Sequence, residues 1–343
     1  CKRLLFLELS KSEIWVSGGC RYSEAVMTGW IMYRISNDLR GKSFRYLNQL
    51  LSVGEAGLLP SSPKPLPYAP IFIIGAPRSG STLLYQVMTE YYDFGYLSTV
   101  HCRFYGSPAL AERLFHPLRR RRPSSFTSTH GQTAGAAAPS ECGSYWYRFF
   151  PRNPQYVPLS AADPARLQQL RASIQALGNA FGKPILFKNM NCALRLQPIA
   201  AAIPEALFIV THRDLVDNAI SLLKVRQQVH GVYDRWWSME PPAIESLRQL
   251  PPYAQAVEQI RHIDQLIAAD SAVIGGDRFI DIQYEESCSD MHGALARLDH
   301  FFAGHGLIIG RRSVQIPAVF PLAKQSAREK EIYENVVKYA GGQ

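Results

Sequence analysis

The stretch from Ile71 to Leu84 constrains the fold more than any other. Ile71-Phe72-Ile73-Ile74 is a short, β-branched apolar run, and Gly75-Ala76-Pro77-Arg78-Ser79-Gly80-Ser81-Thr82 follows it at once. A run of that length reads as a buried strand, and the small residues after it as a tight turn into a helix. Gly80, Ser81 and Thr82 then set backbone N–H groups and two hydroxyls at a helix N-terminus, where unpaired donors and the positive end of the helix dipole favour an anion. The spacing Gly75-x4-Gly80 matches the nucleoside-triphosphate loop, but Ser81 stands where that loop needs a lysine. Arg78 supplies positive charge instead, through a planar fork suited to a tetrahedral oxyanion. The loop reads as a cradle for a phosphate or phosphosulfate.

The remaining chain gives this cradle a setting. Ile185-Leu186-Phe187 reads as a buried strand ending at Lys188, Ala206–Thr211 as another ending at His212-Arg213-Asp214, and Phe279–Tyr284 as a third. Helices are expected after the cradle to about Tyr92, from Asp163-Pro164 to Gly182, over Leu215–Val229, over Tyr253–Ala269 and through Met291–Phe302. Strands alternating with helices over 70–305 imply an α/β fold: a three-layer, parallel sheet flanked by helices on both faces, with ligands at the carboxyl ends of the strands. Arg78, Lys188 and Arg213 all follow strand ends and should face one crevice. Residues 1–67 read as a helical N-terminal extension with a Pro-rich linker, and 68–343 as the α/β domain with an acceptor-binding insertion around 100–160. Within that insertion, Arg119–Arg122 reads as a solvated run.

The net charge of +9 over 343 residues suits acidic ligands, yet no basic stripe with interleaved aromatics marks a nucleic-acid face. The six cysteines, at 1, 20, 102, 142, 192 and 288, show no metal-ligand spacing and are expected to be reduced. With no sequon and no apolar run long enough to span a bilayer, the expected location is cytoplasmic. Peripheral membrane contact through Trp30, Ile31 and Tyr33 is a secondary reading. Oligomeric state has no sequence signal.

Arg213 and Ser221 lie eight residues apart, the first at a strand end and the second about two turns into the next helix, so both can converge on one doubly charged group. Asp214 is expected to cap that helix. Pro77-Arg78-Ser79-Gly80-Ser81-Thr82 resembles the 5′-phosphosulfate loop of sulfotransferases, and Arg213-Asp214-x6-Ser221 resembles their 3′-phosphate motif. Phe187-Lys188 looks like the family's basic residue on the preceding strand, and Asp281-Ile282-Gln283-Tyr284-Glu285-Glu286 its late Tyr-Glu segment. The resemblance spans roughly 70–305 and is nearest in style to the bacterial and tyrosylprotein branch of these P-loop proteins.

The resemblance implies transfer of a sulfuryl group from 3′-phosphoadenosine 5′-phosphosulfate (PAPS, leaving PAP) to a hydroxyl or amine of a carbohydrate, glycolipid or small-molecule acceptor, without a metal. Arg78, Ser79, Gly80, Ser81 and Thr82 would hold the 5′ end, Arg213 and Ser221 the 3′-phosphate, and Lys188 the charge on the leaving oxygen. For the base, His101 stands near the position of the tyrosylprotein branch's glutamate, and Glu141, in Pro139-Ser140-Glu141, is the rival; His101 is narrowly preferred. Lys324 and Arg328 read as a solvated helix face that could close over the nucleotide. A nucleotide or small-molecule kinase and a non-catalytic nucleotide-binding protein are the alternatives.

Overall fold

Five apolar runs become strands: β1 (Ile71–Gly75), β2 (Gly95–Tyr96), β3 (Ile185–Lys188), β4 (Leu207–His212) and β5 (Phe279–Gln283). They form one sheet in the order β2-β3-β1-β4-β5, with every neighbouring pair parallel. Ile71 aligns with both Leu186 and Leu207, so β3 ends at Lys188 opposite Ile73 while β4 runs beside β1 to Thr211 opposite Gly75. The computed structural model describes residues 14–16, 20–22, 43–55, 57, 65–116, 124–127, 135–322 and 330–342.

Because side chains alternate across a strand, β1 feeds two separate cores. Phe72 and Ile74 join one with Phe187, Phe208 and Val210, and the ring of Phe72 stacks on those of Phe187 and Phe208 at 5.2 and 5.6 Å. Ile71 and Ile73 join the other with Leu186, Leu207 and Ile209. Truncating so central a ring as Phe72 to alanine costs about 3–5 kcal/mol.

The main helices are α1 (Ser81–Tyr91), α2 (Thr99–Arg103), α3 (Pro164–Phe181), α4 (Leu215–His230), α5 (Pro252–Ile274) and α6 (Met291–Gly304). Helices α3, α4 and α5 bury Leu177, Leu222 and Ile260 in the Phe72 core, while α1 and α6 bury Val87 and Leu298 in the Ile71 core. This is the expected three-layer α/β architecture. The caps are those the sequence marks: the Asp163 carboxylate accepts from Ala165 N with Pro164 in the first turn, Gly182 closes α3 at φ 64°, and the Asp214 carboxylate accepts from Asp217 N at 2.9 Å.

The chain divides into two compact units, Cys1–Val53 and Gly54–Gln343, and the sheet belongs to the second. In the first, Ile14–Val16 pairs antiparallel with Cys20–Tyr22. Trp30, Ile31, Tyr33, Arg119–Arg122, Lys324 and Arg328 lie outside the described residues. Among the described residues, no helix is long and apolar enough to cross a membrane.

Candidate active site

The strand order reverses at β1, whose neighbours β3 and β4 continue in opposite directions, and a ligand crevice is expected outside the strand ends at such a point. A cavity of about 900 Å³ opens there, lined by Arg78 after β1, Lys188 at the end of β3 and Arg213 after β4. The three expected cations line one cavity.

The loop after β1 is shaped by two close approaches. Gly75 has φ 147°, and a Cβ there would stand 2.4 Å from the Thr211 carbonyl oxygen. Gly80 has φ 89°, and a Cβ there would meet the Tyr284 ring at 2.2 Å. Only glycine allows the backbone to pass so near a neighbour in this conformation. Arg78 is itself left-handed, at φ 70°, an unfavourable state that persists only where surrounding contacts hold it. Those contacts are in place: Arg78 Nε donates to Ser221 Oγ at 3.1 Å, and the Arg78 carbonyl accepts from Arg213 Nη1 at 3.4 Å. The two motifs, 135 residues apart, are hydrogen-bonded to each other.

Burial, followed by the charge of Arg213, lowers the pKa of Arg78. Among the described residues no carboxylate pairs with Arg78. Arg213 lies 4.8 Å from the centroid of the Tyr284 ring and 3.9 Å from Glu285 Oε1, and its buried Nε has no hydrogen-bond partner among the described residues. Two crowded cations and an unsatisfied donor beside a helix N-terminus form a site poised for anions.

A second cluster adjoins the first. Lys188, 3% exposed, donates to Thr82 Oγ1 at 3.1 Å and makes a short ion pair with Glu141 Oε1. Asn189 Nδ2 donates to the Glu141 carbonyl at 3.1 Å and fixes its backbone. Glu141, 34% exposed, lines the cavity. Beyond it the described lining is neutral and rich in hydroxyl and amide groups: Ser144, Tyr147, Gln155 and Asn191, with Trp237.

Three expected residues take other places. His101 does not line the cavity; it is 1% exposed, its Nδ1 accepts from Ser98 N at 3.0 Å as part of the α2 capping box, and its Nε2 lies 3.2 Å from Glu112. The Ser79 hydroxyl turns toward the sheet and bonds Thr211 Oγ1 at 2.7 Å, leaving only the backbone of Ser79 to the loop. Ser221 lies outside the lining but holds Arg78. Ser81 and Thr82 do line it, with Ser81 Oγ donating to Met190 Sδ at 3.2 Å.

A model described as the sulfotransferase family matches residues 70–303, which include both anion motifs, Lys188 and Glu141. The chain belongs to the sulfotransferase family. No curated protein matches it. Among solved structures it is similar to the sulfotransferase STF9 from Mycobacterium avium, at 16% identity and TM-score 0.46, over 79% of this chain and 68% of that one. Similarity to the sulfotransferase STF1 from Mycobacterium tuberculosis H37Rv is 18% identity and TM-score 0.44, over 80% and 77%. For the sulfotransferase domain of the Synechococcus PCC 7002 olefin synthase the figures are 16% and 0.40, over 73% and 77%.

In this sulfotransferase the contacts missed by sequence reasoning are the stacking of Tyr284 against Arg213 and Gly80, and the Asn189 anchor on Glu141. The invitation to the first was Gly80 itself, since a glycine inside a phosphate loop signals a close neighbour. No comparable signal marks Trp237, which arrives from an irregular segment between α4 and α5.

Proposed function

We propose that this sulfotransferase moves the sulfuryl group of PAPS to a hydroxyl of a neutral carbohydrate, glycolipid or small-molecule acceptor. The observation that carries this reading is the crowding of Arg78 and Arg213 in one cavity, with no carboxylate on Arg78 among the described residues, because a ligand with two anionic ends relieves both cations. The residues present fit such a ligand: the amides around Gly80–Thr82 and Arg78 suit the 5′ end, Arg213, with its Nε unsatisfied among the described residues, suits the 3′-phosphate, and Ser221 holds Arg78 from outside the lining.

When bound, PAPS supplies the sulfuryl group and an anionic leaving nucleotide. Sulfuryl transfer resembles phosphoryl transfer, so the protein contributes mainly positioning and electrostatic stabilisation. Glu141 faces the neutral wall and takes the acceptor's proton on its carboxylate. Lys188, buried between Thr82 and Glu141, keeps positive charge beside the loop where charge develops. His101 acts at a distance, by fixing the first turn of α2. The neutral hydroxyl and amide groups beyond Glu141 favour an uncharged, hydroxylated acceptor.

Two measurements test the reading. Adenosine 3′,5′-bisphosphate without Mg²⁺ should stabilise the fold by about 2.7 kcal/mol at a hundredfold excess over Kd. Stabilisation by ATP with Mg²⁺ alone would assign a kinase instead. With PAPS present, mass spectrometry of a panel of neutral glycans and phenols should find an acceptor that gains SO₃.

A further inference from the structure

Two thiols meet on the acceptor side of the cavity. Cys102 lies on α2, Cys142 directly follows Glu141, and both are free and line the cavity. Their segments are already joined along the backbone: Ser98 bridges Pro139, Thr99 N donates to the Ala138 carbonyl at 3.2 Å, and Ser140 N donates to the Leu97 carbonyl at 2.9 Å. Cys102 Sγ donates to Ser140 Oγ at 3.1 Å, and Cys142 N donates to the same oxygen at 3.5 Å, so one hydroxyl ties the two cysteines together. Cys142 holds this contact in a left-handed conformation, φ 46° and ψ 54°, which glycine adopts more readily than any residue with a Cβ.

We propose that Cys102 and Cys142 are a modification site, forming a reversible disulfide under a hydroperoxide and thereby restraining Glu141. The chemistry divides between the two sulfurs. The contact with Cys142, followed by that with Ser140, lowers the Cys102 pKa, whereas the contact with Cys102 and burial raise the pKa of Cys142. Cys102 is therefore the attacking thiolate. It takes one oxygen of hydrogen peroxide, the O–O bond breaks, the other oxygen leaves as water, and Cys102 becomes a sulfenic acid. Cys142 then gives up its proton and attacks the Cys102 sulfur; the S–O bond breaks and a second water leaves as the S–S bond forms. Two thiols lose two electrons, and the peroxide gains them. Cys192 is fully buried with its pKa raised by burial, and Cys288 interacts with Tyr284, so neither offers a comparable pair.

The bond would draw Cys142 toward α2 and carry the adjacent Glu141 away from Lys188, a consequence that rests on the proposed role of Glu141. Displacements of about 1 Å at a reacting group cost about a hundredfold in rate.

The test is peptide mapping of the full chain after hydrogen peroxide treatment and alkylation of the remaining thiols. A peptide pair linked through Cys102 and Cys142, lost on dithiothreitol treatment and absent from Cys102→Ser, is expected. In Cys142→Ser, oxidation of Cys102 should halt at a sulfenic acid trapped by dimedone. Recovery of both cysteines alkylated, or of Cys102 only as sulfinic acid, overturns the site. Turnover should fall about a hundredfold in the linked form and return on reduction; unchanged turnover in a fully linked sample overturns the restraint on Glu141. Because the link is read by mass, a reduced protein that transfers sulfuryl to no acceptor yet still forms the link defeats the functional reading and leaves the disulfide standing.

Discussion

The two halves of the cavity are built on different principles. The half around Arg78, Arg213 and Tyr284 is made from strand ends, a helix N-terminus and two glycines with no room for a side chain, so its charges are fixed by backbone placement. The half beyond Glu141 is assembled from side chains on α2, on the segment around 139–147 and on the irregular chain near Trp237, and its described wall is neutral. A rigid, charged half suits a ligand that never varies, and a neutral half made of loops suits one that differs among relatives with the same fold. Lys188 and Glu141 stand at the seam, and the strongest tests fall on them.

Lys188→Met should lower turnover about a thousandfold while binding of adenosine 3′,5′-bisphosphate, followed by calorimetry, changes far less. A matching loss of nucleotide affinity would move Lys188 from the seam into the charged half. Glu141→Gln should lower turnover about a hundredfold with bisphosphate affinity retained. Retention of full turnover would remove Glu141 as base and dissolve the division between the halves.

How much of this was legible in the sequence follows the same division. The charged half could be read because each of its residues is tied to a local signal: Gly75 and Gly80 to a turn, Arg78 and Arg213 to strand ends, Asp214 to a cap. The sheet was legible for the same reason, since Ile71–Ile74 and Leu207–Val210 are short apolar runs bounded by breakers. The neutral half was not, because Tyr147, Gln155, Asn191 and Trp237 meet only through tertiary packing and share no spacing. His101 shows the limit of position-based reading. Its place after α1 invited a catalytic role, while its hydrogen bonds to Ser98 and its contact with Glu112, both read only in three dimensions, make it a buttress of α2. His101→Gln should therefore cost about 2 kcal/mol of stability in urea melts, from disturbed buried polar partners, with turnover of the folded fraction within about twofold of the parent. A selective loss of turnover would return the base to His101.

The weakest expected effect lies at the rim of the charged half, where His212, next to Arg213, pairs with Asp281 at 2.7 Å. The hydrogen bond to Asp281 raises the His212 pKa, so its contribution is full below the unfolded value near 6.5 and disappears as pH rises through the higher folded value. The same bond lowers the Asp281 pKa, so that contribution is present above about 4 and is lost as pH falls through the lower folded value. Asp264 opposes Asp281: burial pushes its carboxyl up to about 6, which favours the fold below about 4 and withdraws that support as pH rises through 6. The pair is thus fully present between the two unfolded values, about pH 4 and 6.5, and with Asp281 75% exposed it is worth about 0.5 kcal/mol. His212→Gln should lower the melting temperature slightly near pH 5.5 and have little effect near pH 8.5, whereas Asp264→Asn should flatten the decline between about pH 4 and 6. A His212→Gln penalty of equal size at both pH values would mean that the imidazole supports β4 by packing alone, and that the charged half ends at Arg213.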